Sequence, residues 1–423
     1  MNWTVYKFGG ASVKDAAAIR NLVDIVANSK IERLIVVVSA MGKTTNALEE
    51  LWQYWINNQH QLASKKLVEI EMMHKQIVLD LFDGAQESFE LGEVSDLMAS
   101  LKKVISQPAP ADIDEAYDAI TPYGELLSTT IIHRYMADRK VYGTWLDARK
   151  LILTDDTYRE AKVDWVETRG KVLGALATLP SGFNNLVVTQ GFIGGFEEAQ
   201  TTLGREGSDY SAAILAHCVD ANSMTIWKDV SGVLNADPKY FDDTELLENI
   251  SFKEAIELSY YGATVIHPKT IKPLQNLKIP LLVKSFLQPQ AKGTLINELT
   301  SNDAKIPSYI FKVNQRLISI QPRDFSFIVE ENLVDIFDLF AKARVKIHLM
   351  ENSALSFTVC VDESTRLEGL IATLKHNYLV RYNEGLELIT VRHYNQAIID
   401  KLLANKTVLL EQKSRETARF VVK

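Results

Sequence analysis

Along the first two-thirds of the chain, short apolar runs alternate with stretches whose apolar residues recur every three or four positions. Residues 3–8 and 34–39 read as strands, and Leu34-Ile35-Val36-Val37-Val38 is unbroken aliphatic sequence, as in a parallel strand buried on both faces. Between them, in 15–28, Ile19, Leu22, Val23 and Val26 mark one face of a helix. Residues 46–106 read as helical almost throughout, with Trp52, Tyr54 and Trp55 near their start. This helical excursion suits one wall of a substrate site. Strands return at 140–146, 186–189, 224–227 and 279–283, and Gly191–Gly207 brackets a hairpin or loop. Ser208 is expected to cap a helix over 209–219, and Ser251 with Glu254 forms a capping box for 252–261, which Gly262 ends. The alternation predicts an α/β fold with a mostly parallel sheet covered on both faces.

The pattern changes at 297–309, a polar stretch read as a linker. Beyond it come a strand at 317–321, a helix at 330–343, strands at 345–350 and 356–361, a helix at 365–377 and a strand at 379–382. That is the βαββαβ order of a ferredoxin-like unit. Residues 386–422, with a helix at 396–403, read as a shortened second copy. The expected domains are 1–300, 301–385 and 386–423.

A length of 423 residues suits two or three domains, and 47% hydrophobic with 24% charged residues is a globular composition. A net charge of −8 argues against a general nucleic-acid binder, whereas a local patch of lysines and glycines suffices for a nucleotide. Only two cysteines occur, Cys218 and Cys360, in no metal-ligand spacing, so a reducing, cytoplasmic setting is expected. The N-terminus carries no signal-peptide core, and the aliphatic run at 34–38 is far too short to span a bilayer. The eight histidines form no ligand cluster, so no protein metal site is expected; Mg²⁺ would arrive on ATP phosphates and water.

The candidate chemistry lies at strand ends. Lys7-Phe8-Gly9-Gly10 closes the first strand: glycines let a backbone approach phosphate oxygens, and Lys7 is placed to meet a transferring phosphoryl group. Taken alone, the segment is equally a strand-end lysine and a turn. Gly42-Lys43-Thr44 suggests a Walker A loop, but that motif needs glycine at position 37, where Val37 stands. What remains around Ser39 and Thr45 is a polar loop at a strand end, or a plain helix start. Glu125, beside Gly124, could meet an ammonium group or serve only as a first-turn carboxylate. In Gly204-Arg205-Glu206-Gly207-Ser208-Asp209, Arg205 can grip a carboxylate through two parallel hydrogen bonds, and Asp209 at the helix head would stay ionised among lysines. Residues 227–239, with Lys228, Asp229 and Lys239, read as a nucleotide loop or a solvated turn.

Taken in chain order, residues 7–13, 38–45, 124–128, 189–194, 202–212, 227–238, 262–268 and 293–295 resemble the aspartate kinase family across the whole region 1–300. The resemblance implies the amino-acid-kinase three-layer sandwich followed by ferredoxin-like ACT regulatory domains. It implies ATP-dependent phosphorylation of the L-aspartate side chain to 4-phospho-L-aspartate, the entry to lysine, threonine and methionine synthesis, and a homodimer through the ACT region. By motif position, Lys7 and Asp209 would be catalytic. Ser39, Thr45, Glu125, Arg205 and Ser208 would surround aspartate. Lys7, Gly9, Gly10, Lys228, Asp229, Leu234, Lys239 and Thr264 would contact ATP.

Several positions depart from the family pattern. Ala11, Glu206 and Lys228 replace a commoner threonine, glycine and threonine, Leu234 replaces an aromatic, and Thr264 a lysine. In the regulatory region Glu331 and Asn352-Ser353-Ala354 stand where a small residue and Thr-Ser-Glu are usual, so inhibition by lysine or threonine is expected to be weak or absent. The alternatives are a glutamate or acetylglutamate kinase, against which Glu125 counts because an acetylated amine needs no such partner, and a catalytically silent ligand sensor, against which Lys7, Arg205 and Asp209 count. A fused dehydrogenase is not expected from the length and the missing dinucleotide fingerprint.

Overall fold

The aliphatic strands and amphipathic helices of the first region assemble into one large layered unit. The computed structural model describes residues 3–179, 185–241, 243–263, 266–324 and 326–423. The chain divides into two compact units: Met1–Val233, Leu246–Ile256 and Ile266–Thr300 form the first, and Leu234–Glu245, Glu257–Val265 and Ser301–Lys423 the second.

The first begins with β1 (Thr4–Phe8), α1 (Ala16–Asn28) and β2 (Arg33–Val38). Asp15 caps α1 by accepting from the Ala18 N–H at 2.8 Å. The helical excursion is α2 (Thr44–Ile56), α3 (His60–Leu81) and α4 (Gly84–Ile105), followed by α5 (Ile113–Ile120) and α6 (Tyr123–Asp138). Next come β3 (Thr144–Leu146), α7 (Ala148–Leu151), α8 (Trp165–Ala177), β4 (Asn185–Gln190), the hairpin β5 (Ile193–Phe196) and β6 (Ala199–Thr202), α9 (Gly207–Cys218) and β7 (Ser223–Lys228). The remaining elements are β8 (Asn249–Ser251), α10 (Phe252–Tyr261, of which the residues from Glu257 belong to the second unit), α11 (Pro268–Asn276), β9 (Leu281–Ser285) and β10 (Thr294–Asn297).

Eight strands form one sheet in the order β3-β4-β2-β1-β7-β9-β10-β8. The six from β3 to β9 run parallel, and β10 turns antiparallel to β9. Both faces are covered. Leu34, Val36 and Val38 join a core with residues of α1 to α6, while Ile35 and Val37 point the other way and are equally buried. α9 packs against β1, β2 and β7, and against α11.

Two local expectations change. α9 starts at Gly207, and Ser208 lies inside its first turn; the N-cap position belongs to Glu206, in the left-handed region at φ 54° with no side-chain cap. Gly204, also left-handed at φ 75°, turns the chain before it. The expected strand at 140–146 contracts to Thr144–Leu146. Ser251 does cap α10, its Oγ accepting from the Glu254 N–H at 3.0 Å.

The second unit is built on β11 (Ser308–Pro322), α12 (Glu330–Lys342), β12 (Ile347–Asn352), β13 (Phe357–Asp362), α13 (Leu367–Asn377), β14 (Tyr378–Arg392), α14 (Gln396–Leu403), β15 (Val408–Lys413) and β16 (Thr417–Val422). Its six-stranded sheet has the order β12-β13-β11-β14-β16-β15. The strand expected at 317–321 lies in the later half of fifteen-residue β11, whose register slips between Lys312 and Gln315. Asn314 is left-handed there, at φ 54°. Its later half, with β12, β13 and the start of β14, gives the ferredoxin-like strand order under α12 and α13. Its opening residues Ser308–Lys312 pair with Leu388–Arg392, completing a second four-stranded set with β15 and β16. Among the described residues no helix is long and apolar enough to cross a membrane.

Candidate active site

Because β4, β2, β1 and β7 are adjacent and parallel, their C-terminal ends share one edge of the sheet, where open α/β sheets bind ligands. The register sets Lys7 of β1 opposite Val37 of β2 and Ile226 of β7, and Val38 opposite Gln190 of β4. Lys7, Ser39, Gly191 and Lys228 are thereby gathered at this edge. After β1 the chain makes a tight turn at Gly10–Val13. A Cβ on Gly10 would lie 2.9 Å from the Ala40 carbonyl oxygen and 3.0 Å from that of Gly42, so only glycine lets these loops meet.

The first turn of α9 brings the opposite charge. Asp209 Oδ1 lies 2.6 Å from Lys7 Nζ, and Oδ2 lies 3.8 Å from Lys228 Nζ. Asp209 is buried, which by itself would raise its carboxyl; the ammonium groups of Lys7 and Lys228 outweigh this and hold it below the usual range. The helix amides at this end favour the same anion. Ser208 packs on the β4 end, where a Cβ on Gly191 would come 2.6 Å from its own Cβ.

Glu125, in the first turn of α6, is 2% exposed. Its Oε1 accepts from the Ala40 N–H at 3.1 Å, and its Oε2 has no hydrogen-bond partner among the described residues. Burial pushes its carboxyl up to about 8, against the pull of Ala40 and Lys7. The Ser128 hydroxyl donates to the Ser39 carbonyl at 2.7 Å, tying α6 to the end of β2. Thr45, half-buried, opens α2 beyond the same loop. The arrangement is a paired set of cations and, behind Ala40, a desolvated carboxylate whose open oxygen suits a cationic group.

Other expected residues are placed less tightly. Gly9 backs Lys7, with Nζ 3.4 Å from where its Cβ would stand. Arg205 is exposed between the two left-handed residues and makes no ion pair or hydrogen bond among the described residues. Asp229 is exposed just past β7. Leu234 and Lys239 belong to the second compact unit, and Thr264 lies outside the described residues. Two residues escaped sequence reasoning. Gln190 is fully buried; its Nε2 donates to Thr129 Oγ1 at 2.8 Å and its Oε1 accepts from the Ala148 N–H at 2.7 Å, joining β4 to α6 and α7. Asp118 is a buried carboxylate on α5. For Gln190 the available signal was a polar residue on an otherwise apolar strand face, whereas Asp118 shares its helix face with Asp114, Glu115 and Thr121 and carries no such mark.

Residues 2–285 match the amino acid kinase family. The chain belongs to the amino acid kinase family. Within it, the chain is 31% identical over 396 residues to lysine-sensitive aspartokinase 3 of Escherichia coli K12, covering 92% of this chain and 86% of that one. It is likewise 31% identical over 305 residues to the bifunctional aspartokinase/homoserine dehydrogenase 2 of Arabidopsis thaliana, but spans only 33% of that longer protein. Among solved structures, E. coli aspartokinase III in complex with aspartate and ADP superimposes with a TM-score of 0.80 at 28% identity, over 100% of this chain and 96% of that one. The same enzyme in complex with lysine and aspartate gives 0.82 at 28% identity, over 99% and 95%. Aspartate kinase of Clostridium acetobutylicum, at 22% identity over 99% and 96% of the two chains and a TM-score of 0.80, shares the fold.

Glu125 supplies a direct test of this geometry. Its folded value of about 8 lies above the 4.5 of a free glutamate, so the folded chain binds this proton more tightly. The resulting stability is complete below the unfolded value and is lost as pH rises through the folded one. Glu125→Gln cannot ionise and should keep it. The unfolding temperature of the ligand-free protein should therefore fall between about pH 6 and about pH 9 by several degrees more in the parent than in Glu125→Gln. Parallel profiles would contradict the burial of this charge.

Proposed function

We propose that this chain is an aspartate kinase, transferring the γ-phosphoryl of ATP to the side-chain carboxylate of L-aspartate to give 4-phospho-L-aspartate. The observation that carries the reading is the buried Asp209 held between Lys7 and Lys228 at the sheet edge, with the open oxygen of Glu125, on α6, beside the adjacent loop. The aspartokinase relatives and the aspartate- and ADP-bound neighbour support the choice of substrates.

In this reading Glu125 takes the substrate's ammonium group, ionising as the cation replaces the water it lacks. Arg205, free on its turn, closes on the α-carboxylate, with Ser39, Thr45 and Ser208 around the substrate. The side-chain carboxylate is already a nucleophile at neutral pH, so no base is required. Lys7 and Lys228 neutralise charge on the phosphoryl oxygens during in-line transfer, and Asp209 keeps the two ammonium groups aimed and ionised. Gly9 and Gly10 bring backbone amides close to the phosphates, with Asp229 just past β7 at the same edge. Mg²⁺ would be carried by the ATP phosphates and water; among the described residues no His, Cys, Asp and Glu cluster offers it a separate site.

The second unit is read as a regulatory, dimer-forming region. Apolar Phe327, Val329, Val334 and Phe337, exposed around α12, support a homodimer. Glu330 and Glu331 fill the first turn of α12, where negative charge opposes an incoming effector carboxylate. Cys218 and Cys360 are both free and buried, which fits a reduced cytoplasmic protein.

Two measurements test this proposal. With Mg-ATP and hydroxylamine, hydroxamate should form from aspartate, and not from glutamate or acetylglutamate; signal from either of the latter alone would replace the reading with the corresponding kinase. In the same assay lysine or threonine should leave the rate largely unchanged, and sub-millimolar inhibition by either would refute the reading of Glu331.

A further inference from the structure

We propose that Asp118 is a positioning residue for the aspartate site: it clamps the end of β6 and the loop at Arg159, and so fixes the turn that presents Arg205 and starts α9. The inference rests on the reading of Arg205, Ser208 and Asp209 given above.

Asp118 is fully buried on α5, a position where an unpaired carboxylate would be costly. It is met by donors from two remote segments. Oδ2 accepts from the Thr202 N–H at 2.8 Å and from the Arg159 N–H at 3.0 Å, and Oδ1 accepts from the Thr202 hydroxyl at 2.7 Å. Burial nonetheless pushes its carboxyl up to about 6. The two clamped segments also hold each other: the Ala161 N–H donates to the Thr202 carbonyl at 3.0 Å, and a Cβ on Gly204 would lie 3.0 Å from the Arg159 carbonyl oxygen.

Thr202 is the last residue of β6, and Arg205 follows three positions later. The intervening Leu203 N–H bonds the Phe192 carbonyl at 2.8 Å, after which left-handed Gly204 and Glu206 carry the chain into α9. A turn of this kind, with a non-glycine residue in the left-handed region, holds its shape only when its ends are fixed. α5 itself and α2 hold the Arg159 side of the clamp. The Arg159 guanidinium lies 4.3 Å from the Tyr117 ring centre and 5.3 Å from that of Trp52, with Nη1 3.1 Å from Asp114 Oδ1. Removing the Asp118 carboxylate leaves the two buried Thr202 donors and the part-buried Arg159 N–H without their acceptor and releases the base of the Arg205 turn.

The chemistry separates two substitutions. In Asp118→Asn the amide oxygen can accept from both backbone N–H groups, while the amide nitrogen donates to Thr202 Oγ1 after its hydroxyl rotates. In Asp118→Ala every bond is lost. Asp118→Ala should raise the aspartate concentration at half-saturation by about 10-fold or more and that for ATP by no more than about 3-fold, and Asp118→Asn should stay within about 3-fold of the parent for both. In the ligand-free proteins, amide exchange read by mass spectrometry over 203–209 should be faster in Asp118→Ala than in the parent or in Asp118→Asn. Thr202→Val, which removes only the hydroxyl bond, should shift both readouts in the same direction by less, and carries the test if Asp118→Ala does not fold. Equal increases for the two substrates, or unchanged exchange over 203–209, would overturn the assignment. Exchange is read without substrate, so a parent chain that fails to phosphorylate aspartate would defeat the functional reading while the exchange result still decides the clamp.

Discussion

A lysine and an aspartate buried together at 2.6 Å, Lys7 with Asp209, is the constraint around which the first unit is organised. Either charge alone in that position would be expensive, and the pair is tolerable only if backbone and helix hold it in register. The register comes from β1 lying between β2 and β7, which fixes Lys7 beside Lys228 at the C-terminal edge. The anion comes from α9, whose first turn is delivered by two left-handed residues. Two cations facing one carboxylate leave an excess of positive charge at the sheet edge, as a site for transferred phosphoryl groups requires.

The second electrostatic feature is complementary. Glu125 is desolvated, has one open oxygen among the described residues and is pushed up to about 8, an environment that suits a cation better than a phosphate. Its loop neighbour Ala40 and the Ser128–Ser39 bond attach it to the end of β2, next to the strand that carries Lys7. An amino acid that carries both charges satisfies both features at once. This is the physical basis for preferring a free amino acid over an acetylated one.

Much of this was legible in the chain because parallel strands buried on both faces are aliphatic runs, and because glycines mark the loops that approach a ligand. Lys7, Ser39, Glu125, Lys228 and Asp209 all lie within a few residues of such marks. The start of α9 was not legible: Ser208 has the chemistry of a cap, but the left-handed turn at Gly204 and Glu206 moves the helix start ahead of it. Only a short strand at 317–321 is read from the sequence, whereas β11 is a longer strand that carries a register slip between Lys312 and Gln315. Asp118 carries no local mark, because Asp114, Glu115 and Thr121 on the same helix face look equally polar. Its partners Arg159 and Thr202 are 41 and 84 residues away, and no local pattern encodes them.

The most direct test of the central pair is a double-mutant cycle on kcat/KM with aspartate and Mg-ATP, using Lys7→Ala, Asp209→Asn and the two together. If Asp209 acts by holding Lys7 on the transferring group, the double variant should lose less than the product of the single losses, by a coupling of at least about 1 kcal/mol, or about fivefold. Losses that simply multiply would contradict the account.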